Sequence, residues 1–176
     1  GWLAGQAAHR QALMGTSLLE EIKFRRYRDD PRAFFREVWY IQHPEHGAIK
    51  FALFPAQDEA LATFMEERLL ITLKSRQIGW TTLVAGYAFW LAFFHPDRLI
   101  IFLSKGEREA ANILKMVKYG YKRLPAWLVR RGPSKQTDNM SILEFDNGSS
   151  VESLPSKKDP ARGRSAYLVI VDEWAF

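Results

Sequence analysis

Lys74, Gly79 and Thr81 set an ammonium, a backbone hinge and a hydroxyl within one octamer, Lys74-Ser75-Arg76-Gln77-Ile78-Gly79-Trp80-Thr81. That set suits a polyphosphate. Backbone N–H groups and a helix N-terminus face the anion, the ammonium neutralises it, and the hydroxyl reaches a Mg²⁺ ion. The usual loop of this kind reads Gly-x-x-x-x-Gly-Lys-Ser/Thr. Here Gly79 and Thr81 hold their places, Trp80 replaces the lysine, and Lys74 supplies the ammonium from the front. Trp80 cannot do lysine's work and is expected to pack beside the loop. The competing reading of the octamer is a plain strand-to-helix turn with a surface lysine.

A second group lies far along the chain. Tyr167-Leu168-Val169-Ile170-Val171-Asp172-Glu173 is an apolar run ending in two carboxylates. Asp172 is expected to hold Mg²⁺, directly or through water, and Glu173 to orient and polarise the attacking water. The competing reading is a strand followed by a solvated acidic turn. Two arginines are candidates for stabilising transition-state charge. Arg76 sits in the octamer, where it either acts on its own site or braces the loop by an ion pair. Arg162 sits in a basic loop from which it could reach a neighbouring subunit's site, with Arg164 as its alternate.

The elements that must position these groups can be read from patterning. Leu69–Leu73 is a short apolar run, a buried strand ahead of the octamer. Thr81–Phe94, rich in Ala, Leu and aromatics, is a buried helix behind it, with Thr82 in its first turn. Strand, loop, helix is the order a phosphate loop needs. Tyr167–Val171 is expected as a central parallel strand buried on both faces, its carboxylates at the end where open α/β sheets take ligands. Arg98–Leu103 is another buried strand, and Ser104-Lys105-Gly106-Glu107 has capping-box spacing for a helix to about Tyr121. Asn147-Gly148, between Ile142–Phe145 and Ser150–Leu154, signals a hairpin. Pro125 and residues 130–133 read as a surface connection, and 155–165 as a polar basic loop. Upstream, Asp30-Pro31 caps a helix to about Ile41, 44–47 is a turn, and 58–67 is helical with Leu61 and Phe64 on one face. Residues 1–29 form a lead-in or arm, helical near 17–28. Within Phe54-Pro55-Ala56-Gln57, the Gln57 amide can both donate and accept, as reading an adenine edge requires, and Phe54 can pack near the base. An ordinary helix N-terminus with a solvated glutamine is the competing reading.

Four of these segments together resemble the N-terminal ATPase domain of the large terminase subunit, the DNA-packaging motor of tailed bacteriophages. Ser75-Arg76-Gln77-x-Gly79 resembles that family's phosphate loop, some members of which carry the lysine in front. Val169–Glu173 resembles its acidic strand, and Phe54-Pro55-x-Gln57 its adenine-recognition element. Asp159-x-x-Arg162-Gly163-Arg164-Ser165 resembles the loop that supplies a catalytic arginine in trans within a ring. The likeness covers about Asp30 to Phe176. It implies a P-loop NTPase of the RecA-like (ASCE) kind, with a mainly parallel sheet flanked by helices plus a β-hairpin. Residues 1–29 would be the helical lead-in and 30–176 the N-terminal part of the ATPase domain. It implies ATP and Mg²⁺ as ligands, with Lys74, Ser75, Arg76, Gln77, Ile78, Gly79, Trp80, Thr81, Thr82, Gln57 and Phe54 at the nucleotide and Thr81 and Asp172 at the metal. It also implies double-stranded DNA, a portal protein and a small terminase subunit as partners, a homo-oligomeric ring, and the cytoplasm of an infected bacterium as the setting. Because the chain stops three residues after Glu173, further strands and a nuclease domain are expected in a longer protein.

Composition agrees with a globular domain: 176 residues, 47% hydrophobic. The absence of cysteine excludes disulfides and cysteine-based zinc sites and fits a reducing interior. His9, His43, His46 and His95 lack metal-ligand spacing. No secretory segment is visible, and the apolar run at 81–94 is too short to span a bilayer. The net charge of +5 favours a polyanionic partner. Its basic residues concentrate at Arg25, Arg26, Arg28, Arg32 and Arg36, and between Lys105 and Lys135, where nine Lys/Arg face only Glu107 and Glu109. Each cluster is either a phosphate-contacting surface or a solvated face. Two further functions compete with the packaging motor. A helicase-like nucleic-acid-dependent ATPase would ordinarily keep lysine after Gly79, and a non-catalytic DNA- or partner-binding module would not need the set Lys74, Thr81, Asp172 and Glu173.

Overall fold

The computed structural model describes residues 2–67, 79–104, 106–155 and 165–171, with side chains from Gly15 onward except those of Glu107 and Ala110. Helix α1 spans Trp2–Asp29 and α2 spans Pro31–Val38. The break between them is the expected cap: the Asp30 carboxylate accepts from Arg32 N–H and Pro31 opens the next helix. The expected continuation of α2 to Ile41 does not occur. Trp39 turns extended, and Tyr40–His43 (β1) pairs antiparallel with Gly47–Lys50 (β2). The tertiary demand that Trp39 be buried against the next layers overrides the apolar periodicity that ran through it. His43 and His46 stack in the connecting turn, where His43 Nδ1 accepts from Glu45 N–H and His46 N–H.

Helix α3 covers Pro55–Glu66 and α4 covers Trp80–Phe94. Every residue of α4 from Leu83 to Phe94 is buried, so this helix is the centre of the core rather than a surface helix. Phe34 and Trp39 stack on Phe89, while Phe93, Tyr121 and Phe145 close around its other side. Strand β3 is Leu99–Ser104, helix α5 Glu107–Tyr121 and helix α6 Ala126–Arg131. A Cβ at Gly120 would stand 2.3 Å from the Trp39 indole, so only glycine lets α5 approach Trp39 this closely. The stretch expected as a plain surface connection holds α6 instead. Pro125 stands at its N-cap, and Leu128 is fully buried.

Among the described residues the main sheet has five strands. β4 (Lys135–Asp138), β5 (Ile142–Phe145) and β6 (Ser150–Pro155) form an antiparallel run, and β6 and β7 (Leu168–Val171) flank β3 in parallel. The Asn147-Gly148 turn joins β5 to β6 as expected, with Gly148 at φ +82. β7 is parallel as expected but not buried on both faces. Leu168 and Ile170 pack on the core, while Val169 and Val171 are 44% and 46% exposed, because no described element covers that side. The capping box at Ser104 does not form. Ser104 pairs in the ladder opposite Pro155 as the last residue of β3, and Gly106 is the N-cap of α5 without a side-chain cap.

The C-terminal half of α1 is anchored to this body. Phe24 packs edge-on against Phe94, Trp90 Nε1 donates to Tyr27 O, and Arg131 donates to Glu20, Glu21 and Ser17. The lead-in is thus one continuous helix, longer than the segment at 17–28 expected from patterning.

Candidate functional site

Asn147 Nδ2 donates to Ala92 O and Ser149 Oγ donates to His95 O. These bonds fix the C-terminus of α4 at the β5–β6 turn, which is the N-terminal end of β6 and of its parallel neighbour β3. α4 therefore runs antiparallel to these strands and begins at the opposite edge of the sheet. That edge is where β3, β6 and β7 end. Val171, immediately before Asp172 in the chain, lies opposite Leu103 there. The start of α4 and the end of β7 thus lie toward the same end of the sheet.

Gly79 is the N-cap of α4 at φ 67, ψ 23. This left-handed conformation costs a non-glycine residue about 1–2 kcal/mol, which explains glycine at that point. The helix behind it carries no carboxylate in its first turn. The N–H groups of Trp80, Thr81 and Thr82 stand at the positive end of its dipole, an arrangement suited to an anion. Trp80 packs edge-on against Phe64 of α3, ring centroids 5.4 Å apart. The Phe64 ring also packs on Tyr87, whose hydroxyl donates to Phe64 O. Burial pushes the Tyr87 phenol up to about 12, so it stays a neutral donor.

Gln57 is the residue of this group that sequence reasoning found but placed differently. It is only 3% exposed, not solvated. Its Oε1 accepts from Phe54 N–H at 3.0 Å, half of a capping box at the start of α3, and its Nε2 donates to Gly79 O at 3.3 Å. One side chain thus ties the start of α3 to the glycine that starts α4. A Cβ at Gly79 would meet Gln57 Nε2 at 2.7 Å, so the bridge needs glycine twice over: for the backbone angle and for the space. Phe54 itself is 67% exposed, an aromatic face at the mouth of this corner. Arg32 fixes the same end of α3 from below, with Nε on Asp58 Oδ1 and a second nitrogen on Asp58 O.

Ser104 was missed as a member of this edge. It is 3% exposed at the end of β3, and its hydroxyl has no hydrogen-bond partner among the described residues. Nothing in its sequence context marks it. Cap spacing pointed to a helix start, and only the strand register reveals a buried orphan. Lys74, Ser75, Arg76, Gln77, Ile78, Arg162, Arg164, Asp172 and Glu173 lie outside the described residues, as does the strand expected at 69–73. Among the described residues no group of three or more His, Asp or Glu gathers as a metal site, and no helix is long and apolar enough to cross a membrane.

Comparison with known proteins points one way. The family model described as terminase large subunit, T4likevirus-type, N-terminal, matches residues 71–176. The crystal structure of the HK97 bacteriophage large terminase is similar with a TM-score of 0.61, at 18% identity, over 83% of this chain and 31% of that one. At that identity the likeness is one of fold, and this chain spans less than a third of that protein's length.

Proposed function

The chain belongs to the family of terminase large subunits of the T4likevirus type, and from that premise we propose that it carries the ATP site of a motor that drives double-stranded viral DNA into a procapsid. The observation that carries the proposal is the shared edge of the sheet. The Gly79 start of α4 and the end of β7 lie toward the end of the sheet where its parallel strands finish, which supports a nucleotide site there. The fold read this way is a P-loop NTPase of the RecA-like kind.

In this reading Lys74 neutralises the β- and γ-phosphates from the front of the loop, and the first-turn N–H groups of α4 hold their oxygens. Mg²⁺ held by Thr81 and Asp172 supplies further neutralisation of the phosphate charge. Glu173 orients the attacking water and accepts its proton. Gln57 holds Gly79 in place beside the adenine, with Phe54 at the base. Arg76 orients the phosphates, and Arg162, with Arg164 as the alternate, stabilises transition-state charge in a neighbouring subunit of a ring. Portal protein and small terminase subunit are the proposed partners of the assembled motor in an infected bacterium's cytoplasm.

Glu173→Gln is expected to bind Mg·ATP as the unaltered protein does and to hydrolyse none of it. Unchanged phosphate release by this variant would remove Glu173 from the mechanism. An arginine acting in trans is worth ~10³–10⁵ in rate. Arg162→Ala subunits are therefore expected to regain turnover when mixed with Glu173→Gln subunits, each supplying what the other lacks. Mixtures no faster than the separate variants would contradict the trans role.

A further inference from the structure

The two basic clusters separate once their partners are known. Arg25 pairs with Glu21, Arg26 and Arg36 with Glu37, Arg28 with Asp29 and Arg32 with Asp58. Every arginine of the first cluster thus has an acidic partner on the protein's own surface. In the second, Lys118 and Lys135 share Asp138, Arg108 meets Glu109, and Arg130 and Arg131 engage Glu20 and Glu21. Lys105 lies outside the described residues, and three described cations remain. Lys115 and Lys122 are exposed and have no acidic partner among the described residues. Arg123 lies with its guanidinium 3.4 Å above the Tyr119 ring and donates to Tyr119 O.

These residues occupy one face. Lys115 and Tyr119 share one side of α5, Lys122 at its C-cap continues that side about 10 Å from Lys115 along the axis, and Arg123, in the turn just beyond, is held back onto it by Tyr119. The opposite face, Ile113, Leu114, Val117 and Tyr121, is buried in the core, and Gly120 seats the helix against Trp39. The platform is therefore rigid. No Asp or Glu occurs in the chain from Ala110 to Thr137, so nothing on α5 beyond its first turn offsets this charge.

We propose that this outward face of α5 contacts the phosphate backbone of duplex DNA, with Lys115, Lys122 and Arg123 on phosphates and Tyr119 holding the arginine in place. The inference rests on the packaging reading for the identity of the polyanion. Lysine ammonium groups on long stems are point charges that bind phosphate whatever the base sequence. A motor that must move along any sequence needs that property. Such contacts release counterions and give affinity that falls steeply with salt.

The test is fluorescence anisotropy of a labelled duplex with this chain over a range of KCl concentrations. Each phosphate contact adds about 0.9 to the slope of log K against log salt, so a Lys115→Ala/Lys122→Ala/Arg123→Ala variant is expected to lose about 2.7 of that slope and to bind more weakly at low salt. Lys115→Arg/Lys122→Arg should retain both, and Arg25→Ala, at a paired site, should change neither. An unchanged slope in the triple variant overturns the proposal. So does failure of the unaltered chain to bind duplex at low salt. Calorimetry with Mg·ATP on the same proteins reports the nucleotide site separately, so loss of one reading is not mistaken for loss of the other.

Discussion

Gln57 and Gly79 are coupled through one hydrogen bond and one tight contact, and that coupling is measurable. Gly79→Ala is expected to cost about 1–2 kcal/mol from its backbone angle alone, with a further loss from the Cβ that crowds Gln57 Nε2. Gln57→Ala strips Phe54 N–H and Gly79 O of their side-chain partner, a loss of about 1–3 kcal/mol. The crowding is absent once Gln57 is truncated, so denaturant unfolding of the double variant should show a loss smaller than the sum by at least ~0.5 kcal/mol. Strict additivity would mean the two residues do not form the described bridge. Ser104 behaves oppositely. Its hydroxyl is buried without a partner among the described residues, so Ser104→Ala should leave the melting temperature unchanged or raise it, and a clear drop would reveal a partner. Neither relation was legible in the sequence. The Gln57–Gly79 bridge joins residues 22 positions apart, and an orphan hydroxyl is a property of its surroundings.

Elements were legible where one local signal dominated. The unbroken apolar run of α4, the apolar stretch of β3 and the Asn-Gly turn of the β5–β6 hairpin each leave one outcome. The β1–β2 hairpin was not, because Tyr40–Lys50 shows no clean alternation and its pairing depends on where Trp39 is buried. α6 was hidden by Pro125 and Pro133, which read as loop although Pro125 only starts the helix. The packing of α1 on α6 is likewise tertiary. Arg131→Ala removes its bonds to Glu20, Glu21 and Ser17. It is expected to cost about 1–2 kcal/mol, discounted for partial exposure, and to speed amide exchange in residues 17–29 selectively. The joint between α4 and β3 should respond to pH. Burial, and the nearby Arg98 and Arg28, hold His95 below the ordinary imidazole value. A depressed group binds its proton more readily when unfolded. Its contribution is therefore fully present above about pH 6.5 and is lost as pH falls through the lower, folded value. Melting temperature should fall from pH 7 to pH 5, and by less in His95→Gln. Equal falls would place the titration elsewhere.

For the whole molecule, the mixed sheet brings the start of α4 and the end of β7 to one edge, with Gln57 bracing the first of them. The α/β class was legible because strands and helices alternate along the chain, and so were the helix that follows Gly79 and the parallel strand that ends at Val171, each a short local signal. The exposed face of β7 was not, since burial on both faces depends on what covers the strand rather than on the strand's own residues. Whether the relocated lysine binds a nucleotide's phosphates can be read by calorimetric titration of Mg·ATP into the chain and into its Lys74→Ala variant. Binding by the chain is expected, with at least tenfold weaker binding, about 1.4 kcal/mol or more, by the variant. Equal binding by the two would place the phosphates elsewhere and contradict that expectation.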